Sequence, residues 1–262
     1  MPFPESERVI YDKNPLEKVI CELRFPQILR IESEAPAAFQ DRIRGDYPLI
    51  KKRTPLNLGL PPEVAKIFPL DLNIEGSPLA YDFSSADTLW IVGLTSGSIS
   101  LSSLGYRRWE EFKHHLDLPL SAFVELYSPA FYSRVGLRYR NVIRPSRLGL
   151  QGSSWSDLLQ PYISGLFSSP DVASAIEGAA HQLLIRLPDG AGQVRMNHGL
   201  ATDSETDEMC YVIDNDFFAE PKTEVENVLE KLDLFKKLSA RLFRWCITDR
   251  LHNAMGPNRI AP

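Results

Sequence analysis

The chain has 262 residues, of which 44% are hydrophobic and 24% charged, with a formal net charge of −5 and a pI near 5.6. That apolar share suffices for a packed core and excludes wholesale disorder. The acidic balance excludes a generally basic nucleic-acid binder while leaving room for a local basic face.

Residues 1–14 hold prolines and charges without period and read as an arm leading to the first strand. This start lacks the basic and apolar regions of a signal peptide, and no apolar run is long enough to span a bilayer. The expectation is therefore a cytoplasmic protein with no membrane contact. Residues 18–25 alternate, with Cys21, Leu23 and Phe25 on one side and Glu22 and Arg24 on the other, which predicts a half-buried strand. Ser33-Glu34-Ala35-Pro36 opens a helix in which Phe39 and Ile43 share a face, and Gly45 and Pro48 end it. Residues 47–69 predict a loop with one short strand or turn where Leu56, Leu58 and Leu60 alternate. Its basic residues Lys51, Lys52 and Arg53, with Arg42 and Arg44, read as a solvated surface.

Over residues 70–104 the period is that of strands. Leu79, Tyr81 and Phe83 alternate with polar neighbours, residues 89–94 form an apolar run, and Ile99 and Leu101 follow the Ser96-Gly97 turn, predicting an antiparallel meander. Residues 106–116 return to helical spacing through Trp109, Phe112 and Leu116. Pro119 is expected to interrupt that helix before residues 122–126 resume it.

The order then starts again. Arg134-Val135-Gly136-Leu137-Arg138-Tyr139-Arg140-Asn141-Val142-Ile143-Arg144 repeats the pattern of Cys21-Glu22-Leu23-Arg24-Phe25-Pro26-Gln27-Ile28-Leu29-Arg30: Leu-Arg-aromatic, two residues, two aliphatics and Arg. A helix is predicted over residues 154–167, then strands at 181–187, 193–198 and 209–214, the first two joined by the hairpin signal Asp189-Gly190. A helix over residues 223–255 keeps Val228, Leu232, Phe235, Leu238 and Leu242 on one face until Gly256-Pro257 stops it. The fold class is α+β, with two repeated β-α-β(3-4)-α units, residues 1–128 and 129–262. Each is a curved antiparallel sheet backed by a long helix, and a pseudo-twofold joins their cores.

Asn14-Pro15-Leu16 ahead of Val19-Ile20-Cys21-Glu22-Leu23-Arg24-Phe25, Tyr106-Arg107-Arg108-Trp109-Glu110-Glu111-Phe112, the 134–141 motif, and Val212-Ile213-Asp214-Asn215-Asp216 together resemble a family of sporadically distributed bacterial proteins of about this length. That family is known chiefly as uncharacterised, so the resemblance implies no catalytic residues; its patchy occurrence is similar to that of mobile or defence-related genes. The order of elements alone resembles the doubled TATA-binding-protein type of fold, which implies shape and not DNA binding.

In the 134–144 strand, Val135, Leu137, Tyr139 and Ile143 are expected to face the helices. That leaves Arg134, Arg138, Arg140 and Arg144 on the other side, with Arg24 matching Arg138. Guanidinium groups about 7 Å apart on one strand suit phosphates or carboxylates. The competing expectation is that they pair internally with Glu22, Asp82, Asp214 or Asp216. Asp214 and Asp216 share a side and complete the candidate binding set, but Asp214-Asn215-Asp216 lacks the glycine and distant glutamate of a calcium loop, so no metal and no cofactor are expected. Cys21, Cys210 and Cys246 make neither a disulfide framework nor a zinc site. No catalytic residue is assigned, because neither a nucleophile on a glycine-flanked turn nor a phosphate-cradling loop is present. The leading expectation is a non-enzymatic binding or regulatory protein whose arginine-bearing sheet face takes an unidentified protein or an anionic ligand. An enzyme acting on a phosphorylated or nucleotide-like small molecule is the alternative, and nucleic-acid binding ranks third. A homodimer stays open.

Overall fold

Alternating apolar side chains in two stretches, one near the amino terminus and one at mid-chain, place two strands side by side at the centre of one large curved sheet, with the described helices gathered on one of its faces. The computed structural model describes residues 3–53, 79–220 and 222–259, so the expected alternation of Leu56, Leu58 and Leu60 lies outside the described residues. In chain order the first elements are strands β1 (Val9–Tyr11) and β2 (Leu16–Arg24), helices α1 (Leu29–Ser33) and α2 (Ala37–Ile43), strands β3 (Leu49–Arg53), β4 (Ala80–Ser84), β5 (Trp90–Leu94) and β6 (Ser98–Ser103), and helix α3 (Trp109–Tyr127). Strand β7 (Arg134–Ile143) follows, then short helices α4 (Pro145–Leu148), α5 (Trp155–Leu158) and α6 (Pro161–Ser164). Strands β8 (Ala180–Arg186), β9 (Gln193–Thr202) and β10 (Met209–Ala219), helices α7 (Val228–Cys246) and α8 (Asp249–Ala254) and strand β11 (Pro257–Arg259) follow among the described residues.

The main sheet has nine strands in the order β3-β4-β5-β6-β2-β7-β10-β9-β8, every neighbouring pair antiparallel, and β1 pairs with β11 in a separate ribbon. At the centre β2 meets β7 with Cys21 opposite Leu137, Glu22 opposite Gly136 and Leu23 opposite Val135. Because side chains alternate along a strand, that register sends Val19, Cys21, Leu23, Val135, Leu137 and Tyr139 to one face, where they join Phe112, Phe123, Leu232, Phe235 and Leu238 in a single core. Each fully buried aliphatic or aromatic side chain there contributes roughly 1.5–3 kcal/mol. The α+β class and the antiparallel sheet are as expected, and all three cysteines are free and buried. Among the described residues no helix is long and apolar enough to cross a membrane.

Helices differ most from expectation. Helix α3 runs through Pro119 without a break. Proline removes the amide that would bond the carbonyl four residues back, but the Tyr47 hydroxyl donates to that carbonyl, His115 O, at 2.8 Å. The single helix expected over residues 154–167 is instead a series of short turns. Pro161 keeps Gln160 extended and Gly165 adopts φ +48°, so Leu158 and Ile163 are buried while Leu166 is exposed. The expected 223–255 helix ends at Cys246. Extended Ile247 bridges to Leu159, and the Thr248 side chain then caps α8 by accepting from the Leu251 amide. Residues 49–53 form a short strand at the start of the segment expected to be a loop with one short strand or turn. Strand β10 continues to Ala219, which sets Asp214-Asn215-Asp216 within the sheet.

Candidate functional site

Even-numbered residues of β7 point to the face away from the helices, and here the candidate arginines divide into two kinds. Arg134 is buried. It donates to Glu22 Oε2 and Asp216 Oδ2, each at 2.7 Å, and its guanidinium lies over the Phe218 ring, 4.9 Å from the centroid. To reach Asp216 it crosses Gly136, where an added Cβ would collide with Nη1. A glycine inside a central strand is normally a weakness, and here it is the space in which the guanidinium lies.

Arg138 forms a two-pronged pair with Asp214, Nε to Oδ1 at 2.8 Å and Nη2 to Oδ2 at 2.7 Å, and the Asp214 side chain is only 9% exposed. Arg144 donates to Asp203 Oδ2 at 2.7 Å and also pairs with Glu17. That contact, with the amides of Glu205 and Thr206, holds the Asp203 carboxyl at about 2. Asp216 moves the other way: burial raises its carboxyl above the usual range, and Arg134 only partly offsets this.

Arg24 and Arg140 differ from these three. Arg24 contacts Glu22 two residues back at 3.0 Å but keeps 52% of its side chain exposed. Arg140 stands opposite Asp214 on one side and Lys18 on the other, yet it is exposed and makes no hydrogen bond or ion pair among the described residues. Arg195, which the sequence did not single out, also faces this side; it lies 5.5 Å over Phe218 and its side chain is 46% exposed. Arg24, Arg138 and Arg195 rim a shallow depression of about 420 Å³ whose carboxylates are Glu22, Asp216 and Glu220. Arg24, Arg134, Arg138, Asp214 and Asp216 thus come together around β2, β7 and β10, whereas Arg144 sits apart with Asp203. Asp82, offered as a partner for these arginines, pairs instead with Arg53 near the sheet edge. Among the described residues no group of three or more His, Cys, Asp or Glu is placed to hold a metal.

The helix side holds polar groups of another sort. Asn215, fully buried, has neither its Oδ1 nor its Nδ2 hydrogen-bonded, and the hydroxyl of Tyr139, its cross-strand neighbour, is likewise buried and unpaired. The signal was present in the sequence: if Asp214 and Asp216 share the open face, Asn215 must face the core. Comparison of the chain with protein-family models and with curated proteins returns no match, so the geometry alone carries the functional reading.

Proposed function

We propose that this is a non-enzymatic binding or regulatory protein that takes an acidic segment of a partner protein on the sheet face opposite the described helices. The observation that carries the reading is Arg140, an exposed guanidinium with no internal partner among the described residues, on the same sheet face as the half-exposed Arg24 and Arg195. Asp214 and Asp216 are already engaged by Arg138 and Arg134, which favours this reading over an enzyme whose carboxylates act on a small phosphorylated substrate.

The same reading takes residues 1–128 and 129–262 as two related units. The register supports it: Glu22 and Gly136 hold the same place in the matched motifs and are each other's partners across the sheet centre, where a pseudo-twofold would pass.

The test is fluorescence anisotropy of a labelled heptaglutamate peptide with the wild-type protein and with Arg140→Glu. Charge reversal should weaken binding about tenfold and leave the melting temperature within about 2 °C, with wild-type affinity falling steeply as salt is added. No binding by the wild type, or equal binding by the variant, would refute the assignment. Saturable binding of ADP or pyrophosphate in place of the peptide would favour the small-molecule enzyme.

A further inference from the structure

The second candidate site lies on the opposite side of the sheet, where the amino-terminal arm crosses the start of α3 and the middle of α7. These elements line a partly open cavity of about 140 Å³. Apolar cavities near that size, about 150 Å³, hold a molecule as large as benzene. Aromatic walls come from Tyr106, Trp109 and Phe243, and Tyr139 and Asn141 of β7 form part of the lining.

Two features set this cavity apart from an ordinary packing defect. Its lining is cationic in an acidic protein: Arg8, Arg107, Arg108, Lys236 and Arg244 against Glu7. Arg8 is occupied by Glu110 at 2.5 Å, Arg244 by Asp249, and Glu7 by Arg259 at 2.9 Å. Lys236 is half-buried and makes no hydrogen bond or ion pair among the described residues. Burial, followed by the charge of Arg8, pulls its ammonium below the usual lysine range against the opposing charges of Glu110 and Asp233, and a further anion beside it would favour the charged form. The second feature is the Tyr139 hydroxyl in the lining. It is buried, and its contact with the Tyr106 phenol falls short of a well-formed hydrogen bond, so its bonding capacity is only partly used. Buried polar atoms almost always find full partners, and one with capacity to spare in a cavity wall points to a group that the protein accepts from outside.

We infer that the cavity binds a single-ring aromatic carboxylate, with its carboxylate against Lys236, its ring among Tyr106, Trp109 and Phe243, and a polar ring substituent toward Tyr139. The arm is the cover. It is anchored at its two ends, by Phe3 packed in the core beside Trp245 and by β1 paired with β11, while between them Glu5 pairs with Arg241 at 2.5 Å and the exposed Arg8–Glu110 pair is weak enough in water to part and admit a ligand.

Isothermal titration of the full-length protein with benzoate, 4-hydroxybenzoate, phenol and acetate tests the assignment. The expected order is 4-hydroxybenzoate, then benzoate, then phenol and acetate. Lys236→Met should weaken both aromatic carboxylates about tenfold without changing phenol. Tyr139→Phe should erase the advantage of the hydroxyl group while keeping or raising the melting temperature. Arg140→Glu, on the other face, should leave benzoate binding unchanged, which separates this site from the peptide-binding face. Absence of saturable heat from either aromatic carboxylate up to roughly 10 mM, a concentration that reveals even millimolar affinity, would overturn the inference and leave the cavity to water. Unaltered benzoate affinity in Lys236→Met would overturn it as well.

Discussion

The two faces of the central strands treat polarity in opposite ways. On the open face, Arg134, Arg138, Asp214 and Asp216 are largely withdrawn from water, and each buried charge has a partner of opposite sign. On the helix face the polar groups are neutral; Asn215 has no partner among the described residues, and Tyr139 has only an imperfect contact with Tyr106. A satisfied ionic network belongs to the architecture, because each member would be costly to leave alone. An unsatisfied neutral group is cheaper to keep, and it is the one with bonding capacity left for something else. The difference moves attention from the most charged residues of β7 to the least conspicuous ones.

Breaking the network should give the largest effect. Arg138→Met leaves the carboxylate of Asp214 buried without its two-pronged partner, and a urea titration should show a loss of about 3 kcal/mol, the low end for a buried pair because Arg138 keeps 23% of its side chain exposed. Arg138 is for that reason a poor position for a binding test, whereas Arg140, which shares its strand face, is a clean one. Gly136→Ala should follow with about 2 kcal/mol, since the new methyl group occupies the space of the Arg134 guanidinium; a neutral result would mean that Arg134 does not lie across the strand.

His198 sharpens the other half of the comparison, because it is a helix-face polar group that does have a partner, the Tyr211 hydroxyl at 2.7 Å. Burial first, and then the neighbouring His181, hold its imidazole at about 4 against an ordinary 6.5. The unfolded chain therefore takes up this proton before the folded one, so stability contributed by neutral His198 is complete above pH 6.5 and is lost as pH falls from 6.5 toward 4. Urea midpoints should fall between pH 7 and 5, and His198→Gln should reduce that slope; an unchanged slope would place the titration on His115 or His252, which shift in the same direction.

Much of the sheet was legible because alternation is a local property. The parity of Leu23, Arg24, Leu137 and Arg138 needed only a period of two, and the six-strand signal around Tyr81, Leu101 and Ile213 needed little more. The helix ends were less legible, because distant residues decide them: Ile247 leaves its helix to bridge Leu159, eighty-odd positions earlier. Which carboxylate each arginine selects was also hidden. Arg138 stands opposite Asp216 yet pairs with Asp214, and Arg134 reaches past its own neighbours only because Gly136 lets it. The cavity could not be foreseen, since it exists only where the arm, α3 and α7 meet.

The hydroxyl that replaces the missing amide of Pro119 comes from Tyr47, at the end of the turn leading out of α2. Continuity of the long helix is thus supplied from elsewhere in the same chain, by a segment that precedes it by a whole meander. A polypeptide started after Tyr47 would carry every residue of that helix and still lack the atom that closes its weakest rung.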